Sequence, residues 1–531
     1  MPPETDQVHR RVLRALTRAA AKESQRRDIA RQTTPEQLER NVREYLGRTR
    51  IVIASNREPY QHVHRGGSIE VIRSPGGLAS ALDSVARATG AVWVAQASGD
   101  ADRESVDAKR RVRMPPRLER YTLQRVWIDD EERAEGFNRF ANGCLWPLCH
   151  VVYVRPHFEA SQWRAYQEVN RLFADEIIEA TDGEPALVLL QDYHLALAAS
   201  YIRARRPDLS IVLFWHIPWP NSEVFRIVPW KREILEGLLA CDLLGFHIRF
   251  HGMNFLDTVS HELEALIDRE RGAIRRRGRT TFVRDYPISP DVAEISLAAA
   301  DPNTPAAVRR IRERLGIGNA KVILGVDRLD YTKGIPERLD AYERLLEASP
   351  DLRGQVVMIQ VAVPSRVDLP EYQALGKTVA EKVERLNERF GSSDRQPVYL
   401  ITENLDFREL IPYYALADVM AVTSLHDGMN LVAKEYVASK ISLDGALVLS
   451  PYTGASRELE HAIQVSPYDT EGLSEALRRA LVMDPDERVR RMRALREVVS
   501  SQNIYDWARK LLRDVRRLHL LPGAGWPTVR R

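Results

Sequence analysis

Two basic residues stand close together in the segment VDRLDYTKG, where Arg328 and Lys333 are five positions apart and Gly334 follows the lysine. The apolar run KVILGV before them predicts a buried strand, so both cations should lie at its end, beside a turn. Two fixed positive charges there suit a diphosphate, because they stabilise the charge that a nucleotide sugar's leaving group gains as the glycosidic bond breaks. An isolated Arg–Lys pair on a loop is more often solvated surface, so this segment alone does not decide the function.

A second polar segment, HDGMNLVAKE, follows the apolar run VMAVTSL, which also predicts a buried strand. Asp427 and Gly428 then stand at the strand's end. Asn430, Lys434 and Glu435 fall in the first turns of a helix, whose positive end favours a phosphate. The Glu435 carboxylate can accept hydrogen bonds from a ribose diol, and Asp427 can accept them from sugar hydroxyls. The structural alternative is a capping aspartate with a solvated Glu–Lys pair, but two such segments in one half of the chain favour a binding site.

The first half of the chain carries weaker signals of the same kind. SNREPY places Arg57 after the first apolar run, and Gly76 and Gly77 in SPGGLASAL let backbone N–H groups approach a phosphate at a helix start. QDYHL and FWHIPWP place Asp192 and His216 after two further runs. A glycine pair or a single histidine is often only structural. Two such loops at the same sheet edge make a functional role as plausible as a structural one.

Short apolar runs alternate with helical segments in both halves of the chain. The runs are RIVIAS, AVWVAQ, ALVLLQDY, SIVLFWHIPWP and LLGFHI, then KVILGVDRLD, QVVMIQVAV, PVYLIT, VMAVTSL and GALVLSP. This alternation predicts an α/β chain with two doubly wound, Rossmann-like domains, each with a parallel sheet between helices. Ligands of such sheets bind at the carboxyl ends of the strands, so we expect the site in a cleft between the domains.

Four parts are expected along the chain, with a linker over residues 275–305, where the sequence is first basic and then rich in Pro, Asp and Ala. Residues 9–46 have charges on most helical faces and predict a solvated helical extension. The parts are a helical extension (1–49), an N-terminal Rossmann-like acceptor domain (50–292), a C-terminal Rossmann-like nucleotide-sugar domain (293–500) and a closing helix packed back on the N-terminal domain (501–531).

Composition excludes several classes of protein. The 531 residues include 77 Lys and Arg against 74 Asp and Glu, so a net charge of +3 gives no reason to expect a nucleic acid partner. A hydrophobic fraction of 44% excludes general disorder, and we expect no membrane span. Three cysteines without metal-ligand spacing predict buried thiols in a cytoplasmic protein. They are Cys144, Cys149 and Cys241.

Taken together, the segments resemble the retaining glycosyltransferases that make trehalose 6-phosphate, a family with the two-domain GT-B fold that also includes glucosylglycerol-phosphate synthases. The resemblance runs from about Arg50 to Val515. It is specific, because many separated motifs occur in the family's order. These motifs are SNR, PGGL, LWPLCH, QDYHL, HIPWP, DLLGFH, VDRLDYTKGIPERL, VPSR, SLHDGMNLVAKEYVA, LSPYTGAS and SPYD.

The resemblance implies a donor site for a nucleotide glucose, with UDP-glucose preferred although the motifs do not separate uridine from guanosine or adenosine. Arg328 and Lys333 would bind the diphosphate, Glu435 the ribose, and Asp427 with the neighbouring backbone the glucose. The Gly77 N–H would reach the donor phosphates. The implied donor residues are Gly77, Arg328, Lys333, Asp427, Gly428, Met429, Asn430, Leu431 and Glu435.

The resemblance also implies an acceptor site for glucose 6-phosphate, with Arg57 and Arg366 on its phosphate and His216 beside the anomeric carbon. The acceptor hydroxyl would attack the face that the diphosphate leaves, so His216, Arg328, Lys333 and Asp427 form the implied catalytic set. No metal and no cofactor are expected, since the nucleotide sugar is a substrate. The implied acceptor residues are Arg57, Gln96, Phe137, Trp146, Asp192 and Arg366.

Three positions depart from the family's usual pattern. Gln96 stands where a tryptophan is usual, Phe137 replaces a phosphate-binding tyrosine, and His426 replaces an arginine. The first two leave open a different acceptor, such as glycerol 3-phosphate. A catalytically weak regulatory homologue is a further alternative, although the donor residues are all present. A homo-oligomer is compatible with the sequence, and a separate phosphatase is expected to act on the product.

Overall fold

The computed structural model describes residues 32–74, 76–393 and 395–521, and they form two compact units. The N-terminal unit comprises Thr33–Ile288, the short loop His426–Met429 and the chain from Ile504 onward. The C-terminal unit comprises Ser289–Leu425 and Asn430–Asn503. No helix within the described residues is long and apolar enough to span a membrane.

The N-terminal unit is built on one ten-stranded sheet in the order β10-β11-β12-β9-β8-β7-β1-β4-β6-β5, and β2 and β3 form a separate hairpin. The seven strands from β12 to β6 are parallel, and the chain reverses its direction of travel between β1 and β7. The carboxyl ends of β1 and β7 therefore form the switch point where ligands bind in such sheets. The strands are β1 (Arg50–Arg57), β2 (Tyr60–Arg65), β3 (Ser68–Arg73), β4 (Val92–Gln96), β5 (Arg111–Met114), β6 (Tyr121–Val126), β7 (Ala186–Gln191), β8 (Ser210–Phe214), β9 (Leu243–Phe246), β10 (Leu266–Asp268), β11 (Ala273–Arg276) and β12 (Arg279–Asp285).

Helices cover this sheet, including the last helix of the described chain, Ile504–Arg517. That helix is fixed by a hydrogen bond from the Tyr286 hydroxyl to Asp514 (2.8 Å) and by the Trp507 ring, 5.2 Å from that of Phe214. The helices of the unit are Pro35–Leu46, Gly77–Thr89, Glu131–Phe140, Trp146–His150, Ala160–Ala180, Ala198–Arg205, Ser222–Phe225, Lys231–Leu238, Arg249–Glu262 and Ile504–Arg517, with a π-helical turn at Ala141–Leu145 and 3-10 turns at Arg103–Ser105 and Tyr193–Leu195.

The C-terminal unit holds a six-stranded, wholly parallel sheet in the order β15-β14-β13-β16-β17-β18. Its switch point lies between β13 and β16. The strands are β13 (Lys321–Arg328), β14 (Val356–Val363), β15 (Val398–Ile401), β16 (Val419–Val422), β17 (Ala446–Leu449) and β18 (Ile463–Gln464). The helices are Val292–Ala299, Thr304–Arg314, Ile335–Ala348, Pro370–Phe390, Phe407–Leu416, Leu431–Ser439, Thr470–Val482 and Pro485–Ser501, with 3-10 turns at Tyr331–Lys333, Pro350–Leu352 and Gly454–Arg457.

The ten apolar runs of the sequence all form strands, and the three cysteines are buried free thiols, as predicted. The boundary between the two units falls inside the expected linker over 275–305, at Ile288–Ser289. The segment is not a plain connection, however, because β11, β12 and the helix Val292–Ala299 occupy most of it. Its arginines belong to a hairpin at the sheet edge, where Arg276 pairs with Glu236 at 2.6 Å. Of the predicted helix over 9–46, Pro35–Leu46 is confirmed, and residues 9–31 lie outside the described residues.

Candidate functional site

The cations of VDRLDYTKG lie at the switch point of the C-terminal sheet, as predicted. Strand β13 ends at Arg328, and Lys333 closes a 3-10 turn before the helix Ile335–Ala348. Between turn and helix, Gly334 adopts the left-handed conformation (φ 63°), and a Cβ there would lie 2.2 Å from the Thr423 carbonyl oxygen. Glycine is therefore required for the backbone to turn this close to the end of β16.

A buried carboxylate, Asp330, lies between these cations. Arg366 approaches it at 3.1 Å and Arg328 at 3.8 Å, while Thr332 donates to it from its backbone N–H (3.0 Å) and its hydroxyl (2.9 Å). Burial alone would raise the pKa of Asp330, but the charges of Arg366, Arg328 and Lys333 outweigh it and lower that pKa. Three cations thus surround this carboxylate, an arrangement that suits a polyanion such as a diphosphate.

Arg366 belongs to this cluster in the C-terminal unit. Its backbone is left-handed (φ 51°), and its guanidinium lies 5.4 Å from the centre of the Tyr372 ring and hydrogen-bonds to the Tyr372 hydroxyl. The sequence predicts that Arg366 grips the acceptor phosphate. The structure brings it together with the donor cations Arg328 and Lys333, and its contact with an acceptor stays a prediction.

The helix Leu431–Ser439 begins as predicted after HDGMN. Asn430 caps it with φ 79° and accepts a hydrogen bond from the Ala433 N–H at 3.0 Å. Within the helix, Glu435 accepts a hydrogen bond from the Tyr414 hydroxyl at 2.9 Å. Burial raises the pKa of Glu435, and this hydrogen bond partly offsets the effect. The Tyr414 hydroxyl thus fixes the position of the Glu435 carboxylate, which can accept hydrogen bonds from a ribose diol.

Lys434, in the same helix, is not available to a phosphate. Its side chain is buried, with the ammonium 2.5 Å from Glu458 and 2.9 Å from the Ser289 hydroxyl. Its predicted place in the first turns of the helix is confirmed, and this ion pair fixes its side chain inside the C-terminal unit.

The loop His426–Met429 packs within the N-terminal unit. The His426 Nδ1–H donates to the His150 carbonyl oxygen at 2.7 Å, and a Cβ on Gly428 would lie 2.1 Å from the His216 carbonyl oxygen. Burial lowers the pKa of His426, although its hydrogen bond and the charge of Asp427 oppose the shift. The loop that carries Asp427 therefore rests against the backbone of His216.

Asp192 and His216 meet at the carboxyl ends of β7 and β8. Asp192 has φ 73°, and its carboxylate accepts hydrogen bonds from the backbone N–H groups of Tyr193 and His216, both at 3.0 Å. The His216 Nε2–H donates to the Gln191 side-chain oxygen at 2.9 Å. Burial lowers the pKa of His216 to about 3, so its imidazole is neutral at pH 7 and can bind a sugar hydroxyl but not supply a charge.

His216 gives the first testable prediction, a pH-dependent cost in stability. Because an unfolded histidine protonates below about pH 6.5 and the folded His216 only near pH 3, the unfolded state binds more protons between these values. The folded protein therefore loses stability as pH falls through this window. We expect His216→Gln to gain about 2 kcal/mol relative to the wild type between pH 7 and pH 5. Denaturant unfolding of both proteins at each pH measures this; a difference that does not change with pH contradicts it.

Arg57 and Gln96 lie side by side, because the two residues pair at the carboxyl ends of β1 and β4. The next residue after Arg57, Glu58, is buried and accepts hydrogen bonds from Arg125 (3.0 Å) and from the Ser98 backbone N–H (2.8 Å). This network ties the segment after Arg57 to the segment after Gln96. Both predicted acceptor residues thus lie at the carboxyl edge of the N-terminal sheet, with Arg57 at the switch point and Gln96 on the neighbouring strand.

Trp146 begins the short helix Trp146–His150, directly after the π-helical turn. Its ring centre lies 4.0 Å from that of His150 and 5.9 Å from that of Tyr193, the neighbour of Asp192. The His150 Nδ1–H donates to the Trp146 carbonyl oxygen at 2.8 Å. Trp146 therefore packs near the residue that follows Asp192, and the contact of both with an acceptor stays a prediction.

Phe137 does not join the predicted acceptor residues. Its side chain is 0% exposed, and its ring packs against Tyr166 (5.7 Å between centres) and His194 (6.2 Å). The prediction that it contacts the acceptor is wrong, since a phenylalanine in the core of the unit has no surface to offer a ligand. The open question about the acceptor therefore rests on Gln96.

Gly77 begins the helix Gly77–Thr89, after Gly76 at φ 126°. The capping residue has no side chain with which to cover the first-turn N–H groups. This is the geometry by which a helix start binds a phosphate, as the prediction for Gly77 requires.

Four supporting residues were missed by the sequence interpretation. Asp330 stands inside the quoted motif, and an acid between two cations could have signalled it. Gln191 directly precedes Asp192 in the segment QDYHL, and a polar residue at the end of an apolar run could have signalled it. Tyr372 and Tyr414 come from other helices, and nothing in the sequence marks them as partners of Arg366 and Glu435.

Two Rossmann-like sheets in one chain, with a cation cluster suited to a diphosphate at one switch point, have the architecture expected of a GT-B glycosyltransferase. Residues 49–517 match Glycosyltransferase family 20, and the chain belongs to that family. The trehalose-6-phosphate synthase of Mycolicibacterium vanbaalenii is 39% identical over 470 residues, 87% of this chain and 95% of that protein. The synthase of Mycobacterium leprae is 39% identical over 476 residues, 88% of this chain and 95% of that protein. The chain is accordingly a hexosyltransferase.

Solved structures give the same relationship. The UDP-forming alpha,alpha-trehalose-phosphate synthase of Burkholderia xenovorans, in complex with glucose 6-phosphate, superposes with a TM-score of 0.79 at 32% identity, covering 88% of this chain and 100% of that one. A trehalose-6-phosphate protein from E. coli, bound with UDP-2-fluoro glucose, superposes with a TM-score of 0.78 at 31% identity, covering 88% and 99%.

Proposed function

We propose that this protein transfers glucose from a nucleotide glucose, with UDP-glucose as first choice, to glucose 6-phosphate. The anomeric hydroxyl of the acceptor forms a bond to the donor's anomeric carbon as the bond to the diphosphate breaks. The hydroxyl proton passes to the departing phosphate oxygen, and the products are trehalose 6-phosphate and a nucleoside diphosphate. Attack comes from the face that the diphosphate leaves, so the configuration is retained.

The cation cluster around Asp330 is the observation that carries this proposal. Arg328 and Lys333 stabilise the charge that develops on the leaving diphosphate, and Asp330 holds Arg328 in place beforehand. Preorganised charge of this kind is usually the largest single contribution to such a reaction. We propose that the reaction needs no added metal ion, because these side chains supply the positive charge.

Positioning supplies the rest of the catalysis. Asp427, on the loop against His216, accepts hydrogen bonds from the donor glucose, and Glu435 holds the ribose. Trp146 and Asp192 orient the acceptor sugar at the switch point of the N-terminal sheet. Holding both sugars in a reactive geometry lowers the barrier, because the entropy cost of bringing two molecules together is met on binding and not in the chemical step. A separate phosphatase acting on the product completes the proposed pathway.

The pairing of Arg57 with Gln96 favours one second candidate. Gln96 replaces a ring at the edge of the acceptor site and lies beside the predicted phosphate-binding Arg57. A smaller phosphorylated acceptor, such as glycerol 3-phosphate, would need less apolar surface there. A glucosyltransferase with this acceptor is therefore the alternative function.

The second prediction concerns the acceptor and tests both functions. Nucleoside-diphosphate release is measured with UDP-glucose, GDP-glucose and ADP-glucose, each with glucose 6-phosphate and with glycerol 3-phosphate. We expect turnover with glucose 6-phosphate and little with glycerol 3-phosphate, because Trp146 and Asp192 offer a sugar ring its contacts. The opposite preference would replace the proposed function by the alternative. No nucleoside-diphosphate release with either acceptor would contradict both candidate functions. Gln96→Trp, which restores the usual residue of the family, is the matched control for this altered position.

A further inference from the structure

A fully buried arginine, Arg338, lies in the helix Ile335–Ala348, which directly follows Lys333 and Gly334 along the chain. Its guanidinium donates to Asp327 at 2.7 Å, to the Gln360 side-chain oxygen at 2.7 Å and to the Thr423 hydroxyl at 3.0 Å. Asp327 lies in β13, Gln360 in β14, and Thr423 directly after β16. One side chain thus connects three adjacent strands at the switch point.

The sheet leaves space for this side chain at one residue. A Cβ on Gly325, in β13, would lie 2.1 Å from Arg338 Nη1 and 2.3 Å from the Gln360 side-chain oxygen. Both distances are far inside van der Waals contact, so the arginine fills the volume that a side chain at position 325 would need. The glycine and the arginine therefore form one packing unit.

Short connections lead from Arg338 to both cations of the proposed diphosphate site. The Thr423 hydroxyl accepts the hydrogen bond from Arg338 and donates to the Gly334 carbonyl oxygen at 2.9 Å, directly after Lys333. On the other side, Asp327 directly precedes Arg328 in β13. The guanidinium is thus connected, through the side chains of Thr423 and Asp327, to the backbone segments that present Lys333 and Arg328.

We propose that Arg338 is a positioning residue of the diphosphate site, which it serves by fixing the backbone under Arg328 and Lys333. A buried charge is poor at adding stability, and apolar residues of similar volume often do better. A planar guanidinium, however, sends hydrogen bonds in several fixed directions at once, and a lysine cannot reproduce that geometry. The proposal rests on the proposed function, since it concerns the binding of the same diphosphate.

The third prediction tests this role with the full-length protein. Thr423→Val keeps the side-chain volume and removes the hydrogen bond to Gly334, while Arg338→Lys keeps the charge. We expect each to weaken UDP binding, measured by calorimetry, and to raise the donor KM by about tenfold. The acceptor KM should not change. Arg344→Met is the matched control, because Arg344 lies on the same helix with its side chain 50% exposed, and it should behave as the wild type.

Three outcomes decide the matter. A tenfold loss of UDP affinity in a folded Thr423→Val or Arg338→Lys protein, with the acceptor KM unchanged, supports the positioning role. Unchanged UDP affinity, or a lower number of active sites with unchanged KM values, overturns it in favour of a purely structural arginine. Arg328→Ala, measured in parallel, separates the two levels. If Arg328→Ala weakens UDP binding and the Arg338 and Thr423 variants do not, only the positioning role of Arg338 is contradicted. If Arg328→Ala also binds UDP normally, the proposed diphosphate site is contradicted as well.

Discussion

Replacing Arg328 or Lys333 by alanine is expected to lower kcat/KM for nucleoside-diphosphate release by at least about 30-fold, which corresponds to about 2 kcal/mol of transition-state stabilisation. Both residues lie at the carboxyl end of β13, and the donor's diphosphate gains negative charge as its bond to glucose breaks. Because the charge grows in the transition state, the loss should fall on kcat as well as on KM. Initial rates at saturating acceptor measure the effect.

Two surface variants provide the controls for this prediction. Arg344→Ala and Lys377→Ala each remove a cation of the same type from exposed helical positions of the C-terminal unit, with side chains 50% and 79% exposed. They should leave the kinetics unchanged. Near-wild-type turnover in Arg328→Ala or Lys333→Ala would remove that residue from the proposed mechanism.

The strands that carry the site were predictable because buried parallel strands leave a strong local signature. Runs such as RIVIAS and VMAVTSL are apolar on both faces, which happens only where helices cover both sides of a sheet. Strands near the edge of a mixed sheet have no such signature. β11 and β12 combine a few buried residues with partly exposed arginines, of which Arg276 pairs with Glu236 and Arg279 with Asp242, so their composition resembled a linker.

The candidate site was predictable at its strand ends, because a residue that directly follows a predicted strand must lie near the carboxyl end of that strand. Arg328, Asp192 and His216 each follow a predicted strand, and the structure places them at the carboxyl ends. The partners that hold them come from distant segments, and their roles depend on packing that no local pattern records. Arg338 shows this well, because a basic residue in a helix normally predicts a solvated face.

Burial also explains why two side chains near predicted binding segments are not available to a ligand. Phe137 occupies the family position of a phosphate-binding tyrosine, yet its ring is part of the core around Tyr166. Lys434 occupies the first turns of a helix that suits a phosphate, yet it is closed off by Glu458. The sequence predicts the segment in which a residue lies. The direction in which its side chain points depends on the partners that the folded protein places around it.

Asp330→Asn is expected to cost about 3–5 kcal/mol of folding stability at pH 7, the usual effect of removing one partner from a buried ion pair. Asparagine keeps the shape of the side chain, so the loss reports the charge that faces Arg366 and Arg328 at 3.1 Å and 3.8 Å. The pKa of Asp330 is lowered from its ordinary 3.8. The charged Asp330 carboxylate therefore contributes its full stabilisation of the folded state above about pH 4. This stabilisation is lost as pH falls through the lower pKa that Asp330 has in the folded protein.

Thermal unfolding of the wild type and of Asp330→Asn at pH 7 and at successively lower pH measures both parts of this prediction. The difference in Tm should be large at pH 7 and should shrink below about pH 4, as the wild-type carboxylate takes up its proton. Asp340→Asn is the control, because Asp340 is 39% exposed and pairs with Lys382 at the surface, where such pairs contribute at most about 1 kcal/mol. Equal small losses in the two variants would mean that the cations around Asp330 keep their places without its charge, and the preorganised diphosphate site would then have to be built by the backbone alone.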